Sequence, residues 1–142
     1  MTAAPARALA VRWLKFNGVG ALGIVIQLAA LAALKNGFHL HYLLATGLAV
    51  ELAVLHNFVW HERFTWKERS GGPFRDRMGR LARFHLGNGL ISIAGNLALM
   101  RLLVGTLHIR LLLANGIAIA VCSLLNFAAG EWFVFRPRSG VR

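Results

Sequence analysis

Apolar residues in this chain run in long blocks rather than alternating, and polar residues gather in the gaps between blocks. Four blocks are long enough to cross a bilayer as helix, which takes about 20 mostly apolar residues. They are 16–34, 42–60, 84–104 and 107–129. Two of the gaps are short, KNGFHLH (Lys35–His41) and GTLHIR (Gly105–Arg110), so each joins its neighbours as an antiparallel helical hairpin. The third gap is the long link 67–83, KERSGGPFRDRMGRLAR. An arm, 1–15, precedes the first block, and a tail, 137–142, closes the chain. The pattern predicts an all-α membrane protein of four transmembrane helices. The first block is expected to stay as a span: it has full transmembrane length, and no small-residue cleavage site is well placed beside it.

Composition agrees with this reading. The 142 residues are 57% hydrophobic and 15% charged, more apolar surface than a soluble core of this size can hide. The net charge of +11 would suggest nucleic acid in a soluble protein. Here the basic residues flank apolar blocks, so they read as topology signals and no nucleic-acid partner is expected. Of the 16 Lys and Arg residues, all but Lys35, Arg101 and Arg110 fall on one side: the arm, the link 67–83, Arg63, and Arg136 with the tail (Arg138, Arg142). Cations at span ends stay on the cytoplasmic face, which puts both termini and the link inside the cell at the inner membrane. Trp13, Trp60, Phe64, Trp66, Trp132, Phe133 and Phe135 cluster on that same side, where aromatic rings anchor the interface.

A shift of 69 residues overlays the two halves without a gap. Gly18 then meets Gly87, Gly20 meets Gly89, and Gln27-Leu28 meets Asn96-Leu97. Leu44-Ala45-Thr46-Gly47 meets Leu113-Ala114-Asn115-Gly116, and Asn57-Phe58 meets Asn126-Phe127. Glu62 meets Glu131 and Phe64 meets Phe133. Each copy holds two spans, an even number, so both enter the membrane in the same direction. That predicts two parallel-repeat hairpins related by a pseudo-twofold axis along the membrane normal. Gly18, Gly20 and Gly23 are expected to let helices approach closely.

The doubled ending, N57-F-V-W-H-E-R-F-T-W66 and N126-F-A-A-G-E-W-F-V-F135, resembles the GtrA family of small four-span membrane proteins. So do the basic-aromatic openings Lys15-Phe16 and Arg83-Phe84. The resemblance implies that 16–136 is a GtrA-like four-helix transmembrane domain. One departure is that Glu62 and Glu131 stand where the family often has a basic residue, two positions before the first closing aromatic. The resemblance implies translocation of polyprenyl-phosphate-linked sugars from the inner to the outer leaflet for cell-surface polysaccharide. Its second implication is an anchor for a polyprenyl-phosphate glycosyltransferase.

Against that background the polar residues inside the blocks become candidates. Glu51 lies near mid-membrane, where a carboxylate costs about 2.5–3.5 kcal/mol on insertion scales. It either lines a polar cavity or is a neutral acid bonded to Gln27 or Asn96. Gln27 and Asn96, at matching depths, could meet sugar hydroxyls or cross-link helices. Asn57 and Asn126 sit at span ends, where an amide can bond free helix carbonyls or a headgroup. Lys15, Arg63 and Arg83 are the cations placed to hold a phosphate, or else contact anionic lipid. The candidate substrate-binding set is therefore Glu51, Gln27, Asn96, Asn57, Arg63, Lys15, Arg83 and Asn126.

Other chemistry finds no support. His39/His41 and His56/His61 lack the spacing that puts a metal-binding pair on one helical face, and no Cys or Asp joins them. Cys122 reads as a packing residue. With no nucleophile triad, phosphate loop or suitable carboxylate pair, the chain is expected not to be an enzyme and to need no cofactor. Four spans enclose little volume, so a homo-oligomer is expected. A small multidrug exporter also combines four spans with a membrane Glu, but the charge asymmetry and the repeat argue against it.

Overall fold

The computed structural model describes residues 3–137; Arg138 and Arg142 of the tail lie outside them. All regular structure among the described residues is helical. Two compact units divide the chain, one running to Ser70 and the other starting at Gly71.

In the first unit, α1 (Ala3–Ala32) and α2 (Tyr42–Trp60) pack along one another. Residues 3–15 of the arm are thus helix, continuous with the first apolar block. ARALAVRWLK holds only residues that tolerate helix, and Pro5 falls in the first turn, where its missing N–H costs nothing. On α2, Ala45, Ala49 and Ala53 are buried in one row of four-residue steps. Asn57 continues that row and lies against Gly23 of α1, so this row faces α1. Small side chains let the two backbones come close. Gly23 is the glycine that matters for this approach. Gly18 and Gly20 were expected to share the role, but a Cβ on either would meet open space.

In the second unit, one rod runs from Phe74 to Thr106. It consists of α3 (Phe74–Leu90), a widened turn (Ile91–Gly95), α4 (Asn96–Met100) and a further widened turn (Arg101–Thr106). The other rod is α5 (Leu111–Ala129). The second half of the link 67–83 is therefore helix: Pro73 fixes an extended φ before α3, and Asp76 sits in its positive first turn. Ala114, Ala118 and Cys122 form the buried row on α5. The widened turn at Ile91–Gly95 is satisfied from α5: Cys122 Sγ points to Ile91 O at 3.7 Å, and Asn126 Nδ2 donates to Ser92 Oγ at 3.1 Å.

The two units close their hairpins with the same backbone bonds at positions 69 apart. Phe38 N–Ala33 O (3.2 Å) matches Leu107 N–Leu102 O (3.0 Å), and Leu40 N–Leu34 O (3.1 Å) matches Ile109 N–Leu103 O (2.8 Å). His39 and His108, also 69 apart, both take positive φ, 54° and 52°. That conformation is uncommon for any residue but Gly and reverses the chain tightly here.

Among the described residues, three helical stretches are long and apolar enough to cross a membrane: Pro5–Gly37, Phe74–Thr106 and Leu113–Val134. The fourth helix, α2, has 19 residues and spans about 28 Å at 1.5 Å per residue. Its hydropathy is lowered by Glu51, His56 and Asn57.

Candidate functional site

The end of α2 creates the site. After Trp60 the helix widens into a turn, His61–Thr65, closed by Trp66 N bonding His61 O at 2.8 Å, five residues back. The extra residue swings the next side chains inward, so His61 (2% exposed) and Trp66 (1%) become a plug against α1. His61 stacks on Phe16 with ring centroids 4.9 Å apart and planes 11° apart, and Trp66 meets both rings edge-on. His61 Nδ1 pairs with Thr65 Oγ1 at 3.0 Å, while Ser70 Oγ donates to Trp66 O at 2.8 Å. Burial, and secondarily the nearby His56, lowers the pKa of His61 from 6.5 to about 3, so the imidazole is neutral at ordinary pH.

With His61, Glu62 and Thr65 turned in, Arg63 and Phe64 face out across from α1. Between them lies a cleft of about 860 Å³. From α1 it is lined by Arg7, Ala8, Val11, Arg12 and Lys15, whose four-residue steps put them on one helical face. Arg63, Phe64, Lys67 and Arg69 face them, together with Thr65, Trp66 and Glu68. Six cations thus surround the cleft with one carboxylate. Arg7, Arg63 and Lys67 are exposed; Arg12, Lys15 and Arg69 are half-buried. Lys15 Nζ reaches Phe64 O at 3.5 Å and sits 4.6 Å from the centre of the Phe64 ring. Such a concentration of guanidinium and ammonium groups suits a multiply charged oxyanion, with Arg able to bind two oxygens at once.

Of the eight candidate residues, five belong to the first unit and three to the second. Lys15 and Arg63 line this cleft. Asn57 sits against Gly23, its Oδ1 3.3 Å from His56 Nδ1. Gln27 is half-buried on α1 and Glu51 exposed on α2. The remaining three belong to the second unit. Arg83 Nη2 donates to Val134 O at 3.4 Å, a carbonyl at the close of the second hairpin. Asn126 holds Ser92, and Asn96 Nδ2 donates to Ser92 O of its own rod at 2.8 Å. Each therefore makes a bond that shapes its hairpin.

Arg7, Arg12, Lys67 and Arg69 join the cleft although the charge pattern marked them only as topology signals. Two spacings carried the information: Arg7, Val11, Lys15 in one row, and Arg63 with Lys67. Among the described residues no group of three or more His, Cys, Asp or Glu side chains could hold a metal ion.

Compared with known proteins, residues 15–135 match the family described as GtrA/DPMS, transmembrane domain. No curated protein matches the chain.

Proposed function

The chain belongs to the GtrA/DPMS transmembrane-domain family, and from that premise we propose that it carries a polyprenyl-phosphate-linked sugar between leaflets of the cytoplasmic membrane. The product would serve cell-surface polysaccharide synthesis. The observation that carries the reading is the cationic cleft of the first hairpin, an anion site at the end of an apolar hairpin in a family tied to lipid-linked sugars.

In this reading Lys15, Arg63 and their neighbours hold the phosphate at the inner interface while the polyprenyl tail stays in lipid. Glu51 and Gln27 of the first hairpin meet the sugar, and Asn96 is the candidate sugar contact of the second. Asn96 would offer its Oδ1, since its Nδ2 is bonded to Ser92 O. Both termini and the link 67–83 lie in the cytoplasm, and four spans form two hairpins about a pseudo-twofold axis. The backbone bonds repeated 69 residues apart support the doubled hairpin. The chain acts without covalent chemistry and as a homo-oligomer.

The test is a leaflet-resolved assay of a fluorescent polyprenyl-phosphate sugar in proteoliposomes. Movement faster than in protein-free vesicles is expected; equal rates across several sugars would remove the proposal.

A second reading, an anchor for a glycosyltransferase, draws on the start of α3. Phe74 and Met78 are exposed there beside the exposed Arg75, an amphipathic surface that precedes the apolar block 84–104. On that reading Phe74→Ala with Arg75→Gln abolishes surface glycan, whereas Glu51→Gln leaves it intact.

A further inference from the structure

The two hairpins share a backbone plan but not a chemistry. Positions 69 beyond the cleft cations Arg7, Arg12, Lys15 and Arg63 hold Asp76, Leu81, Phe84 and Trp132. Phe84 is buried, and Trp132 is 64% exposed. Lys67 and Arg69 do have cationic counterparts, Arg136 and Arg138, of which Arg138 lies outside the described residues. Arg136 meets Phe133 (Nε to O 3.3 Å, guanidinium 5.6 Å from the ring) much as Lys15 meets Phe64, so the charge difference lies in the other four positions. On α3, Arg80 Nη1 donates to Gly71 O at 3.2 Å, and Arg83 Nη2 to Val134 O at 3.4 Å.

A second difference follows the same division. His56 and Trp60 on α2 and Phe64 in the widened turn after it stand at four-residue steps and form a ladder of rings. Centroids are 6.2 Å apart for His56–Trp60 and 6.4 Å for Trp60–Phe64. Phe64 lines the cleft, and Trp60 beside it is 45% exposed. The corresponding positions of the second hairpin are Leu125, Ala129 and Phe133, so the middle ring is missing there.

We propose that the complete headgroup site belongs to the first hairpin: the cleft takes the phosphate, the neighbouring Trp60 ring takes the apolar C–H face of the sugar, and each chain binds one headgroup. The second hairpin is a scaffold without a site of its own. This rests on the carrier reading above and adds to it where the headgroup sits and what reads the sugar. A phosphate ester and a pyranose face need different partners, a cationic cluster and an aromatic plane, and α2 sets these one helical turn apart. Phosphate chemistry is shared by a prenyl phosphate, free phosphate and ordinary anionic lipid, so the test separates the three.

The experiment measures binding to the full chain in detergent micelles. The probes are a short prenyl phosphate, its glucosyl ester, inorganic phosphate and phosphatidylglycerol, with stoichiometry from titration at saturation. One prenyl probe per chain is expected. Arg63→Gln with Lys67→Gln should weaken both prenyl probes about tenfold or more. Trp60→Ala should weaken the glucosyl ester about fivefold or more and leave the prenyl phosphate unchanged. Arg75→Gln with Arg77→Gln on α3, a matched loss of two exposed or half-buried cations, should change neither. Melting curves on every variant confirm that it is folded, and Trp60→Phe, which keeps an aromatic plane, should restore most of the ester binding. Two probes per chain, or an equal loss from the α3 pair, would overturn the single-hairpin site. Equal weakening of both prenyl probes by Trp60→Ala would reduce Trp60 to an interface anchor and overturn the sugar contact. Inorganic phosphate or phosphatidylglycerol binding as tightly as the prenyl probes would overturn the headgroup assignment. The carrier reading fails separately, by absence of leaflet movement in the wild-type chain.

Discussion

The imidazole of His61 lies flat on the ring of Phe16, 4.9 Å away, and so joins the turn after α2 to the middle of α1. A stack of this kind, sealed by Trp66, needs an uncharged imidazole, which burial supplies by lowering its pKa to about 3.

The stack makes stability pH-dependent. The unfolded chain takes up a proton at His61 near pH 6.5 and the folded chain only near 3, so the unfolded state binds more protons in between. Stability from this group is complete above pH 6.5 and falls on acidification through that window, by at most about 1.4 kcal/mol per pH unit. Melting temperature in detergent should drop from pH 7 to pH 5, and His61→Phe, which keeps a stacked ring, should flatten the difference. An unchanged slope in His61→Phe would assign the effect to other groups.

Helix approach gives a paired prediction. A Cβ at Gly23 would collide with the Asn57 amide, whereas one at Gly18 meets nothing within 4 Å. Gly23→Ala should lower stability by about 1–3 kcal/mol through overpacking. Gly18→Ala should leave it unchanged or raise it by up to about 1 kcal/mol through helix propensity. Thermal melts of both variants check this, and an equally damaged Gly18→Ala would refute it.

Anion binding at the cleft should weaken with salt, because exposed cations are screened over about 10 Å at 0.1 M ionic strength. Removing one cation should also shallow the dependence. The expectation is that prenyl phosphate binding falls as salt rises from 0.05 to about 0.5 M, with a smaller slope in Arg63→Gln than in the wild type. A salt-independent affinity would mean that the cleft does not hold the phosphate.

Glu51 separates capture from passage. If its carboxylate meets the crossing sugar, Glu51→Gln should slow leaflet exchange about tenfold or more, the scale of one lost charge-assisted hydrogen bond. Binding of the prenyl phosphate at the cleft should be unaffected. Wild-type exchange rates in Glu51→Gln would remove this residue from the path.

Much of the fold is legible in the sequence because hydrophobic blocks and short links need no tertiary information. Even the matched reversals at His39 and His108 lie at positions that the 69-residue overlay pairs. What cannot be read is direction within a turn. Glu62 and Glu131, at paired positions, are both buried, although a carboxylate beside a membrane interface reads as solvated. The widened turns that carry them inward leave no mark in propensity. For the same reason the cleft was half visible: Lys15 and Arg63 stood out beside the apolar blocks, but Arg7 and Arg12 joined them only because α1 starts at Ala3 instead of at the first apolar block. Arg83 and Asn126 look like ligand groups by type, yet they bond Val134 O and Ser92 Oγ within their own hairpin. Helices carry many carbonyls and hydroxyls at such ends, and composition does not say which of them a side chain will choose.

The length of the rod made by α1 and the widened turn that extends it, Ala33–Gly37, has a mechanical consequence. The 33 residues from Pro5 to Gly37 reach about 50 Å, against a hydrocarbon layer of about 30 Å. Some four turns therefore stand clear of the oil or lean across it, and Arg7 is held at the tip of a stiff boom instead of on a tether. A boom transmits torque. One alanine inserted after Ala10 would turn Arg7 by about 100° about the axis relative to Lys15 while adding only about 1.5 Å of reach, so the grip on an anion depends on rotational phase along this rod far more than on its extent.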